Sequence, residues 1–64
     1  MARFKEAELK RHGCVSLVSR MYPDDTLFDY VVYVNVDGKS YSYGFGDAYD
    51  IALKTYDEQV ANLG

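Results

Sequence analysis

The sequence predicts an α+β fold in one domain spanning residues 1–64: a three-stranded antiparallel β-meander, a C-terminal helix packed on one face, and a short N-terminal helix. Two observations carry this prediction. On either side of Asp37-Gly38, residues 28–45 alternate between mostly apolar and mostly polar side chains. Asp37-Gly38 is itself a dipeptide typical of a tight β-hairpin turn. After Gly46, apolar residues recur instead at the spacing of a helix.

The segment from Arg3 to His12 predicts the short N-terminal helix. Most of its residues are good helix formers, and it stops at Gly13, a common residue just after a helix. Its cations Lys10 and Arg11 fall in the last turn, where positive charge favours the helix dipole.

The next segment, from Cys14 to Tyr22, alternates in polarity and predicts the outer strand of the meander. Pro23 and the two aspartates after it predict a turn over residues 22–26. The three strands are then expected at roughly 14–22, 27–37 and 39–45.

The Asp37-Gly38 turn sets the register of the hairpin, because a type I′ turn requires positive φ at both central residues. It places Val36 opposite Lys39 and Val34 opposite Tyr41. Side chains alternate between faces along a strand. One face is therefore expected to hold Phe28, Tyr30, Val32, Val34, Val36, Tyr41, Tyr43 and Phe45, and the other Asp29, Val31, Tyr33, Asn35, Ser40, Ser42 and Gly44.

The C-terminal helix is expected from about residue 47 to residue 62, with Asp47 as its N-cap and Asp50 adding negative charge to the first turn. An apolar stripe along it, starting at Ala48, should cover the aromatic face of the sheet. The residues expected to be buried are Val32, Val34, Tyr43, Phe45, Ile51, Ala52, Tyr56 and Val60.

Residues suited to catalysis or metal binding are scarce. The chain has one histidine, His12, and one cysteine, Cys14, which lie on either side of the predicted helix–strand junction, where they would not face each other, and which have no obvious third partner. Two such ligands cannot complete a tetrahedral zinc site. We therefore expect no enzyme activity, no metal and no cofactor. A single cysteine and the lack of a signal-peptide pattern favour a cytoplasmic protein.

The charges are divided unevenly along the chain. The net charge is −3, but residues 1–20 sum to +3 and residues 21–64 sum to −6. One interpretation of the acidic excess is a surface that only keeps the protein soluble. The functional interpretation is an anionic surface that binds a basic, nucleic-acid-binding groove of another protein. The favoured partner-binding residues are Asp47, Asp50, Asp57 and Glu58 on the helix, with Asp24, Asp25 and Asp29 as the competing cluster and Tyr22, Tyr33 and Tyr49 as interface aromatics.

In layout, with strands meeting at Val36-Asp37-Gly38-Lys39 and Gly46-Asp47-Ala48 opening an acidic helix, the whole chain resembles the very small acidic α+β inhibitors of phages and mobile elements. The anti-CRISPR proteins belong to that type. The resemblance implies a stoichiometric, non-catalytic inhibitor, and some members of the type act as DNA mimics. The modest net charge and the basic N-terminal third favour a local acidic patch over mimicry by the whole surface.

Two other functions stay open at this stage. The chain has a weaker resemblance to antitoxin-type β-β-α modules. Direct nucleic-acid binding is the second alternative, through Arg3, Lys5, Lys10, Arg11 and Arg20, helped by exposed aromatics. For the protein itself we favour a monomer, with edge-to-edge pairing of two copies as the alternative, and we expect no membrane partner.

Overall fold

The structure, a computed structural model, describes residues 4–63 and has one antiparallel sheet and one helix. The strands lie in the sheet in chain order, so the sheet is a meander. The α+β class and the C-terminal helix are confirmed. The sheet has four strands where three were predicted. The elements are β1 Lys5–His12, β2 Val15–Met21, β3 Leu27–Val36, β4 Lys39–Gly44 and α1 Tyr49–Leu63.

The predicted N-terminal helix is wrong, because β1 occupies its place. β1 pairs with β2 through an antiparallel ladder from Lys5 opposite Met21 to His12 opposite Val15. Gly13 and Cys14 form the two-residue loop between them, and Gly13 has a φ of +59°, the feature of the first central residue of a type II′ turn. Gly13 therefore ends a strand at a hairpin and does not cap a helix.

The Asp37-Gly38 hairpin is confirmed. The two turn residues have φ values of +52° and +76°, as a type I′ turn requires. Val36 lies opposite Lys39 and Val34 opposite Tyr41, in the predicted register. The turn over residues 22–26 is also present, closed by a backbone hydrogen bond in which Tyr22 N donates to Thr26 O at 2.8 Å.

A β-bulge separates Phe28 from the face predicted for it. Arg20 lies opposite Asp29 but Met21 lies opposite Leu27, so Phe28 is an extra residue in β3. Its ring lies under the guanidinium of Arg20, 5.3 Å from the ring centroid. A strict two-residue alternation could not show this, because a bulge shifts the alternation by one residue.

The core lies between α1 and the two central strands, β2 and β3. Val32, Val34, Ala52 and Tyr56 are buried there, as predicted, together with Val15 and Leu17 of β2. Other members of the predicted core are less buried. Phe45 and Val60 are half-buried at its margin, whereas Tyr43 is 41% and Ile51 57% exposed, so the burial predicted for these last two is wrong.

The physical reason for the exposure of Tyr43 is the position of the helix. The sheet has four strands and α1 covers only the middle two, so the helix-side face of β4 stays open. Tyr41 and Tyr43 lie on that uncovered part of the sheet, opposite the buried residues Val34 and Val32. A single 15-residue helix cannot cover a four-stranded sheet, whose strands are spaced about 4.8 Å apart.

The helix also begins slightly later than predicted. Tyr49 is its first residue, and Ala48 O accepts the first hydrogen bond of the helix from Ala52 N. Ala48 therefore occupies the N-cap position predicted for Asp47, which precedes it by one residue. The carboxylates of Asp47 and Asp50 still lie near the positive end of the helix dipole.

Candidate functional site

The outward side of α1 carries a shallow groove of ≈ 460 Å³. Its residues recur three or four apart along the helix, which places them side by side on one surface. Leu53 is half-buried and contacts the core, so it joins the groove to the folded interior. We call this surface the α1 groove; it is lined by Asp50, Leu53, Lys54, Asp57, Glu58 and Ala61.

The α1 groove combines an apolar floor with a negatively charged rim. Leu53 and Ala61 supply the apolar atoms, and the carboxylates of Asp50, Asp57 and Glu58 outnumber the single ammonium of Lys54. The ion pairs of the described residues are Lys5–Asp25, Arg11–Glu8 and Arg20–Asp29, so none of them neutralises a carboxylate of the groove. A cationic side chain with an apolar stem fits such a surface.

Asp47 and Tyr49, two further predicted site residues, lie where the chain enters α1. Both are exposed. The ring of Tyr49 meets that of Tyr30 edge to face, with centroids 5.1 Å apart, so its orientation is fixed by packing. The structure thus keeps the helical part of the predicted site together, with Asp47 and Tyr49 at its N-terminal end.

Asp24 and Asp25 lie in the turn between β2 and β3. The side chain and the backbone NH of Thr26 lower the pKa of Asp24 through hydrogen bonds to its carboxylate. Asp25 forms an exposed ion pair with Lys5 at 2.9 Å and has a φ of +69°. The carboxylate of Asp24 therefore stabilises the turn, and that of Asp25 stabilises its contact with β1. Tyr22 lies just before them in the same turn.

Asp29 is separated from the other predicted anionic residues. It is 8% exposed and accepts two hydrogen bonds from the guanidinium of Arg20, at 2.7 and 2.5 Å. The Asp29 carboxylate raises the pKa of Arg20 above its usual value, mainly through these hydrogen bonds and also through its negative charge. This bidentate pair lies on the sheet face opposite α1, so Asp29 adds nothing to the charge of the α1 groove.

Tyr33 also lies on the face opposite α1. Its hydroxyl donates to Glu6 Oε2 at 3.2 Å, which links β3 to β1 across β2. Burial, followed by the neighbouring charge of Glu6, raises the pKa of Tyr33. Val18 and Val31 are buried on this same face, beside Tyr33 in the sheet. The tyrosine therefore stabilises the sheet and is not a free interface residue near the groove.

The sequence interpretation missed an aromatic cluster around Arg20. Phe4, Tyr22 and Phe28 pack against one another with ring centroids 4.4 to 5.4 Å apart, and the Arg20 guanidinium lies over the rings of Phe4 and Phe28. Each of these aromatics is about 40% exposed. Alternation alone could not find the cluster, since it depends on the β-bulge and on β1 being a strand.

Within residues 4–63, the side chains that could bind a metal ion lie apart from one another. In that part of the chain, no three His, Cys, Asp or Glu side chains are placed to share an ion. Cys14 is exposed in the β1–β2 loop. Every buried side-chain nitrogen or oxygen of the described residues has a hydrogen-bond partner.

In the region covered by the structure, α1 is too short and too polar to cross a membrane, and no other helix is present there. Comparisons of the chain with protein-family models, with curated proteins and with solved structures gave no match.

Proposed function

We propose that the protein is a small non-catalytic inhibitor whose α1 groove occupies the nucleic-acid-binding site of a host protein complex. On this proposal it is encoded by a phage or mobile element, as anti-CRISPR proteins are, and acts in the host cytoplasm. The observation that carries the proposal is the α1 groove: three carboxylates, none of them in an ion pair among residues 4–63, arranged around an apolar floor with Lys54 as the one cation of the lining.

The spacing of the carboxylates supports partial DNA mimicry. Asp50 and Asp57 are seven residues apart on α1, an axial separation of about 10.5 Å. Three nucleotide rises along one DNA strand, of roughly 3.4 Å each, cover about the same axial distance. A row of lysine or arginine side chains that binds phosphates could therefore meet these carboxylates in a similar order. The apolar floor would add contacts that a DNA backbone does not offer.

The competing function, direct nucleic-acid binding by the basic N-terminal third, has weaker support. Lys5, Arg11 and Arg20 each lie within 4.0 Å of a carboxylate, and the guanidinium of Arg20 is held between Asp29 and two aromatic rings. A phosphate backbone needs cations that are not already neutralised. Arg3, the first residue of that set, lies outside the described residues.

The test is a pull-down from a host lysate with two variants that change the charge equally. Asp57→Lys and Glu8→Lys both change the net charge from −3 to −1, but Asp57 lies in the α1 groove and Glu8 on the opposite face. We expect the wild-type protein to capture a nucleic-acid-binding complex and to block its binding to nucleic acid. Asp57→Lys should lose this capture by at least tenfold, and Glu8→Lys should keep it.

Two results would contradict the proposal. One is an equal loss in both variants, since that would mean that net charge alone drives the capture. The other is direct binding of DNA or RNA by the purified protein at physiological salt, which would move the site to the basic N-terminal third. A circular dichroism spectrum of each variant confirms that it is folded.

A further inference from the structure

The two edges of the sheet differ in how well they are protected. The β1 edge carries charged side chains at five of its eight positions and a register shift between Glu8 and Lys10. Edge charges and bulges are the devices that prevent strands of other molecules from pairing. The β4 edge has a charge only at its first residue, Lys39, and its remaining sequence is Ser-Tyr-Ser-Tyr-Gly.

The turn geometry determines which backbone groups of β4 are free to pair. A two-residue turn is flanked by a hydrogen-bonded pair, here Val36 and Lys39, and such pairs alternate along an antiparallel ladder. Phe45 N donates to Tyr30 O at 3.0 Å, in agreement with that alternation. The NH and CO groups of Ser40, Ser42 and Gly44 therefore point away from β3.

We propose that the β4 edge pairs with the β4 edge of a second copy of this chain, forming a twofold-symmetric dimer with a continuous eight-stranded sheet. The pairing is antiparallel and centred on Ser42. Ser42 lies opposite the same residue of the second copy, and Ser40 lies opposite Gly44. The proposed dimer does not involve the α1 groove, because the β4 edge and the groove consist of different residues.

The register centred on Ser42 is self-complementary. It places Tyr41 opposite Tyr43 of the second copy in a non-hydrogen-bonded pair, where cross-strand side chains are closest. Two such aromatic pairs form, one on each side of the twofold axis. They cover the tyrosines that α1 leaves 47% and 41% exposed. No charge within residues 40–44 opposes the contact.

The difference between the edges also limits the assembly. A twofold contact uses the same edge from both copies, so it leaves only the two β1 edges at the ends of the larger sheet. These are the charged and bulged edges, which resist further pairing. The proposed assembly is therefore a closed dimer and not a fibre.

Charge-swapped variants at Ser42 test both the dimer and its register. Ser42→Lys and Ser42→Glu each place like charges directly opposite each other at the twofold axis, which destabilises the pair. Sedimentation of the wild-type protein should give twice the 7.3 kDa mass of one chain at high concentration. Each variant alone should give the monomer mass, and an equimolar mixture of the two should restore the dimer. Ser42→Thr, a neutral control, should remain dimeric.

Amide hydrogen exchange of the wild-type protein gives a second measurement that does not depend on a variant. The amides of Ser40, Ser42 and Gly44 should exchange at least tenfold more slowly at concentrations where the dimer forms. A monomer mass at every concentration up to about 1 mM would overturn the proposal and leave the edge for a strand of another protein. A dimer whose mass is unchanged by both Ser42→Lys and Ser42→Glu would overturn it as well.

Discussion

Arg20 and Asp29 form the least exposed ion pair among the described residues, with side chains 28% and 11% exposed. The guanidinium matches the carboxylate with two parallel hydrogen bonds, a geometry that lysine cannot reproduce. It also packs over the rings of Phe4 and Phe28. One side chain thus links a buried charge, an aromatic cluster and the β-bulge of β3.

Removing Arg20 should destabilise the protein strongly, because the Asp29 carboxylate would stay buried without its partner. We expect Arg20→Ala to lower the free energy of unfolding by about 3–5 kcal/mol. Lys5→Ala breaks the exposed pair with Asp25 and should cost less than about 1 kcal/mol. Urea unfolding followed by circular dichroism measures both values. Similar losses in the two variants would mean that the Arg20–Asp29 pair has no special role.

The elements differ in how far local sequence determines them. The β3–β4 hairpin could be predicted with its register, because turn chemistry and face polarity agree there. β1 could not, because its residues favour a helix locally and all of them are exposed, which leaves no alternation to detect. Its strand conformation comes from pairing with β2, a tertiary effect that overrides local propensity. The signal that could have found it is Gly13-Cys14, a Gly-X loop between two strands.

The carboxylates of the α1 groove could be predicted from helical spacing, whereas the positions of Asp29 and Tyr33 could not. Spacing along a helix places residues on one face whatever the rest of the chain does. The environment of a strand residue depends on which strands lie beside it and on any bulge. The hydrogen bonds from Arg20 to Asp29 and from Tyr33 to Glu6 join different strands, and the second one requires β1.

Two glycines of the hairpin should respond differently to alanine. Gly38 has a φ of +76°, so Gly38→Ala should lower the free energy of unfolding by about 1–2 kcal/mol through backbone strain. Gly44 has no such φ, and an added Cβ would meet only Asp29 Oδ2 at 3.6 Å, an ordinary contact. Gly44→Ala should be neutral or stabilising by up to about 1 kcal/mol. Thermal unfolding of the two variants in dilute solution measures both changes in stability. Equal effects would contradict the turn assignment.

At the scale of the whole molecule, the two proposed contacts use surfaces of different chemistry. The α1 groove is anionic and would attract a basic partner over a distance. The β4 edge pairs through backbone hydrogen bonds and tyrosine rings, with no attraction between opposite charges. Each protomer also carries a net charge of −3, so two of them repel each other weakly as they approach.

Salt should therefore affect the two contacts in opposite directions. Raising the ionic strength from 0.1 to 1 M shortens the Debye length from about 10 Å to about 3 Å. That change should weaken capture of a basic partner by the α1 groove at least tenfold. It should strengthen dimerisation slightly, because it screens the repulsion between protomers and leaves the backbone pairing intact. Sedimentation and pull-down at both salt concentrations measure the two effects. If salt dissociated the dimer, opposite charges would have to hold it together, and residues 40–44 of the β4 edge carry none.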